Sequence, residues 1–178
     1  MSVSEEIAIA AARLVVEEGM EYGAAKRRAV RDLGRRSGRN ADLPSNEAVE
    51  DQVREHIALF HAETQPAELR ALRELAARWM ERLAEFRPHL AGAVWRGTAT
   101  RLSAVHLELY CDDAKSAEIA LINQGVSYDV ASLERPGREP ADVLSLAVPA
   151  AGLDEPATLH LTVLDADDLR GALKPDAQ

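Results

Sequence analysis

Gly92-Ala93-Val94-Trp95-Arg96-Gly97-Thr98-Ala99-Thr100-Arg101-Leu102-Ser103-Ala104-Val105-His106-Leu107 is the stretch whose reading decides the fold. Residues 90–95 read as a short strand that enters a glycine-bounded loop. From residue 105 the pattern alternates: Val105, Leu107, Leu109 and Cys111 are apolar, while His106, Glu108 and Tyr110 between them are polar and expected to face outward. That two-residue period marks a half-buried strand. It also places His106 and Glu108 on one face, because residues i and i+2 of a strand project to the same side. Gly97 lets backbone come close to a ligand, and Arg96 offers a fork of donors suited to phosphate oxygens. The same arginine can simply pair with an acid such as Glu108. Ser103 can close the loop with a side-chain hydrogen bond.

The spacing resembles the signature of the polymerase-beta-like nucleotidyltransferase superfamily, which runs Gly-Ser, two residues, Arg-Gly, five residues, Ser-Asp-x-Asp-Leu. Gly92, Arg96, Gly97, Ser103 and Leu107 fall at the matching positions. Ala93 stands where the family has its phosphate-gripping serine, and Ala104 and His106 stand where it has two magnesium-binding aspartates. The resemblance implies that Gly92, Arg96, Gly97 and Ser103 line the approach to a nucleotide's phosphates. It also implies a lost metal site. Nucleotidyl transfer needs cations that neutralise the triphosphate, and magnesium wants oxygen ligands. Alanine offers none, and imidazole better suits zinc, copper or nickel. The expectation is a catalytically degenerate relative that serves as a binding or regulatory module, with a nucleotide ligand and no cofactor. An alternative is an active, magnesium-dependent transferase whose site is rebuilt from His106, Glu108 and Asp129, with Asp129 as third carboxylate. That trio is equally a candidate for a transition-metal or acid–base site, or a set of polar residues on a solvated sheet face.

Upstream, helical spacing dominates. Ser4 is placed to cap a helix over residues 5–18 that stops at Gly19, and a second helix covers about 21–33. Residues 34–44 form a polar loop, Ser45 or Asn46 caps a third helix to about 61, and Pro66 opens a fourth to Phe86. The fourth carries Leu72, Leu75, Trp79 and Leu83, more apolar residues than one face needs, which suggests a homodimer through the helical half and a third reading as an interaction protein. Downstream, Asp112 or Asp113 caps a helix to Gln124, strands follow over 126–133, 142–148 and 157–164, and a short helix covers about 167–173. Strand, loop, strand, helix, strand is the order the resemblance implies. The fold is therefore expected to be α+β: a helical bundle over residues 1–87, then a nucleotidyltransferase-like small mixed sheet with flanking helices over 88–178.

The net charge of -9 is unevenly spread. Residues 1–102 hold 16 acids and 16 bases, whereas residues 103–178 hold 14 acids and 5 bases. That acidic half would repel phosphate backbones and argues against nucleic acid as a partner. The basic run Lys26, Arg27, Arg28, Arg31, Arg35, Arg36 and Arg39 could grip phosphates but has no interleaved aromatic for base stacking, and pairing within the chain or between subunits is its expected use. Arg54 and His61 fit the arginine–histidine spacing of HEPN ribonucleases, which is also met by chance in ordinary helices. Asp165, Asp167 and Asp168 read as a helix cap. The start, Met1-Ser2-Val3-Ser4-Glu5-Glu6, has acids where a secretory leader has bases. No apolar run approaches the ~20 residues of a membrane span. One cysteine, Cys111, excludes an intrachain disulfide, so a cytoplasmic protein off the membrane is expected.

Overall fold

The computed structural model describes residues 1–35 and 43–169. They group into two compact units: Met1–Leu69 with Thr98–Ser103, and Arg70–Gly97 with the described residues from Ala104 onward.

The first unit is built on α1 (Val3–Glu18), α2 (Tyr22–Asp32) and α3 (Asn46–Phe60). Ser2, rather than Ser4, caps α1. Glu5 lies three residues beyond Ser2, so the two side chains bond each other's backbone N–H reciprocally. Gly19 ends the helix in the left-handed conformation at φ 69°. Ser45 caps α3 by accepting from the Ala48 N–H at 3.1 Å. Ile7, Ala11 and Leu14 of α1 pack with Ala25 and Ala29 of α2 and with Val49, Val53 and Ile57 of α3 in one buried cluster. The fully buried alanines let the helix backbones approach closely. In the basic run, Arg35 pairs with Glu6 at 2.9 Å and Arg28 with Glu18 and Asp32. Arg36 and Arg39 lie outside the described residues.

Helix α4 (Gln65–Arg82) begins in the first unit and continues into the second. It stops short of the expected Phe86: a 3-10 turn, Ala84–Phe86, follows, and Arg87 at φ 52° redirects the chain just before Pro88. Leu72, Leu75, Trp79 and Leu83 are all buried within the chain, so the surplus apolar stripe read as a dimer face is already covered.

The second unit then runs β1 (His89–Ala91), α5 (Gly92–Arg96), β2 (Val105–Cys111), α6 (Ser116–Asn123), β3 (Asp129–Leu133), β4 (Ala141–Val148) and β5 (Ala157–Asp165). The strands form one mixed sheet in the order β1-β2-β5-β4-β3, with β2 and β5 parallel and the other pairs antiparallel. An α+β architecture with N-terminal helices is what the sequence leads one to expect. The strand expected over 126–133 begins only at Asp129, and two helical readings change as well. Residues 92–95 are a turn of helix instead of strand, because Gly92 at φ 75° cannot continue a pleated backbone. Helix α6 starts at Ser116, since the Asp113 carboxylate accepts from the Lys115 N–H at 2.9 Å and holds a turn there. The helix expected near 167–173 falls mainly outside the described residues.

Period-two alternation gives the sheet two faces. Leu107, Leu109, Leu144, Leu146, Leu159 and Leu161 line one, each 3% exposed or less. His106, Glu108, Ser145, His160 and Thr162 lie on the other at intermediate exposure. Tyr110 was expected outward with these polar residues but is buried. Its ring meets His89 edge-on at 5.2 Å and its hydroxyl donates to Glu108 at 3.0 Å. Burial pushes the phenol's pKa far above its usual value, and the Glu108 charge adds to the effect. No helix among the described residues is long and apolar enough to cross a membrane.

Candidate functional site

Strand register sets the polar face in rows. Ala91 of β1 lies opposite His106 of β2, His106 opposite His160 of β5, His160 opposite Ser145 of β4, and Ser145 opposite Asp129 of β3. Directly paired residues project to the same side of a sheet. The rings of His106 and His160 accordingly lie 5.1 Å apart between centroids, and the Ser145 hydroxyl shares a 2.7 Å hydrogen bond with His160 Nδ1.

Gly92 closes the row at the β1 end. A Cβ built there would lie 3.0 Å from His106 Cδ2, and its φ of 75° is one that L side chains rarely adopt. Gly92 and His106 are thus brought together, and both the conformation and the close approach require glycine. Gly97 ends α5 at φ 86°. Arg73 of α4 holds the turn from below: its Nε donates to the Val94 carbonyl at 3.0 Å and its Nη2 to the Trp95 carbonyl at 3.1 Å. A cation at carbonyls freed by a helix end is favourable. Sequence reading did not single out Arg73, because nothing local links it to residues 21 and 22 positions away.

Not all the sequence candidates converge. His106 and Glu108 share the polar face of β2, two residues apart. Asp129 lies in His106's row but three strands away, about 14 Å at the spacing of neighbouring strands. The sheet therefore gives Asp129 no place beside His106 and Glu108; the strand beside β2 carries His160 and Thr162 instead. Ser103 accepts from the Thr100 N–H at 2.9 Å, closing the loop. That Thr98–Ser103 segment belongs to the helical unit. Gln65 donates to the Ala99 carbonyl at 2.8 Å, Thr98 to Glu50 at 3.0 Å, and the Arg101 N–H to Glu68 at 2.9 Å.

Two other groups resolve. Asp168 accepts from Arg135 at 3.1 Å and Arg138 at 2.6 Å, and it exchanges backbone hydrogen bonds with Asp165. Burial raises its carboxyl, but the bonds from Arg135 and from backbone outweigh that and leave it below the usual range. In the helical unit His61 bonds Glu17, and His56 bonds it too, with Nε2 to Oε1 distances of 2.7 and 2.8 Å. Among the described residues, this is the group of three His, Cys or carboxylate side chains with ligand atoms all close enough to share an ion. The sheet histidines form no such group.

No family model matches the chain, and no curated protein does. Among solved structures it is similar to a cytoplasmic RNA terminal U-transferase, at 17% identity and a TM-score of 0.38, over 54% of this chain and 30% of that one. The chain thus spans less than a third of that protein, whose activity is a property of that protein.

Proposed function

We propose that this chain is a nucleotidyltransferase-like protein that has given up catalysis and works as a binding or regulatory module for a nucleotide, held near Arg96 and Gly97. The observation that supports it most is the close approach of the Gly92 backbone to the His106 ring, which leaves no room for a Cβ. The spacing of the glycine turn is kept, while an imidazole stands where the resemblance calls for a metal-binding carboxylate. Its neighbour across the sheet is a second imidazole bonded to an alcohol. Imidazole and hydroxyl groups can hydrogen-bond a ligand, but they lack the charge needed to hold magnesium against a triphosphate. Register speaks against a rebuilt site that includes Asp129, since one ion cannot bridge ligands about 14 Å apart.

Thermal-shift titration with nucleoside triphosphates, with and without magnesium, tests the reading. Selective binding to the folded state raises the transition temperature by mass action. Stabilisation that needs no magnesium and is weakened in Arg96→Ala is the expected outcome. Magnesium-dependent transfer of a labelled nucleotide to any acceptor would overturn the loss of catalysis. Absence of stabilisation by every nucleotide would overturn binding.

A further inference from the structure

We propose that Glu17, His56 and His61 form a binding site for a zinc-class divalent cation, separate from the sheet and lying wholly within the helical unit. Three observations carry it. First, the ligand atoms converge: both imidazole Nε2 atoms point at the same carboxylate oxygen, and all three ligand atoms lie within 4.8 Å of one another. Two histidines with one glutamate are a known zinc donor set that leaves a fourth position for water. Two ligands about 2.0–2.1 Å from a tetrahedral ion stand roughly 3.3 Å apart. The present 2.7 and 2.8 Å contacts therefore need to open by about half an ångström, and the two Nε2 atoms, within 4.8 Å of each other, to settle at the same spacing. Glu17, whose side chain is 44% exposed, has the freedom to do so.

Second, the imidazoles are positioned. His56 is largely covered, its ring 4.8 Å from that of Phe60 and 5.9 Å from that of His61. Five residues along a helix rotate a side chain by 500°, which would set His56 and His61 about 140° apart. They meet because His61 is the C-cap, at φ -133°, and its backbone has already left the helix.

Third, the electrostatics ask for a cation. Helix C-termini carry partial negative charge, and a base in the last turn usually offsets it. Neither α1 nor α3 has one within its last turn, and the Arg28 guanidinium at the end of α1 is paired with Glu18 rather than Glu17. Both helices end at this point, and the carboxylate of Glu17 adds a full negative charge. In the ion's absence the two N–H groups occupy its place. A carboxylate oxygen can only accept, so each Nε2 donates; on binding, each proton leaves for Nδ1 or for solvent and frees a lone pair.

Titration of the chelator-treated full chain with zinc chloride, followed by calorimetry and thermal shift, tests the site. One zinc per chain and a higher transition temperature are expected, and Co2+ in its place should give the visible absorption of a tetrahedral site. His56→Gln with His61→Gln should abolish binding. Glu17→Gln should weaken it at least about tenfold, since even outer-shell partners of a metal ligand contribute 10–100-fold. His89→Gln with His160→Gln removes two of the three sheet histidines and should leave zinc binding unchanged. Far-UV circular dichroism without metal separates lost binding from lost fold. Zinc binding that survives the His56/His61 change, or that is lost with the sheet pair, overturns the assignment, as does absence of binding by the wild type.

Discussion

The helical unit and the sheet each bring two histidine rings close together at a tilt, and the third residue makes them different. In the helical unit, His56 and His61 converge on the carboxylate of Glu17. On the sheet, His106 and His160 lie side by side at a tilt, and His160 bonds the hydroxyl of Ser145. A carboxylate concentrates charge and draws both imidazoles to one point, where an ion can replace two protons. A hydroxyl donates as readily as it accepts, so it bonds one ring without drawing both to a single charged point. Residue type alone does not specify the chemistry; the partner fixed by the fold does.

Five substitutions sharpen that contrast, beginning with the largest effect. The sheet pair stands on an apolar floor, so Leu161→Ala, next to His160 but on the opposite face, should destabilise the protein by about 2–5 kcal/mol in urea unfolding. Thr162→Ala on the polar face should cost far less, and equal losses would break the two-faced description. Gly92→Ala should cost about 1–3 kcal/mol from the left-handed backbone and contact with His106. Repeating it on a His106→Ala background should recover the contact part and leave the backbone part, read as a non-additive double-mutant cycle. Ser145→Ala should cost about 0.5–1.5 kcal/mol by chemical denaturation, the loss of one hydrogen bond.

The smallest effect lies in the helical unit. Glu17 ionises below its usual pKa in the folded chain, held there by hydrogen bonds from His56 and His61. Its contribution is therefore present above about pH 4.5 and lost as pH falls through the lower folded value. The metal-free stability gap between wild type and Glu17→Gln should be under about 1 kcal/mol near neutrality, as for exposed pairs. It should close in acid. A gap that widened below pH 4 would contradict the depressed carboxyl.

Much of the fold was legible where the periodicity was long. Apolar residues at helical spacing marked α1 to α4, alternation marked β2 apart from Tyr110, and turn residues bounded β4 and β5. What failed was short or long-range. Gly92 to Arg96 carries too few residues to show any period, and only its left-handed start makes it a helical turn. His160 escaped notice because strand order, which sets it beside His106, depends on a pairing 54 residues apart in sequence. Asp129 was drawn into the candidate site for the converse reason: β3, close to β2 along the chain, lies at the far edge of the sheet. Glu17 is 39 and 44 residues from its two histidines, and only the packing of α1 on α3 joins them.

The strand order has a further consequence during synthesis. β5 occupies the middle of the sheet, yet it leaves the ribosome after the other four strands. Until it arrives, β2 and the β3–β4 hairpin cannot join, and the nascent chain shows two raw edges rich in leucine and valine. Zipping β5 between them closes both at once, a late and non-local event of the kind that slows folding. Ribosome-bound fragments that stop before Ala157 should therefore lean on chaperones until the last strand is delivered.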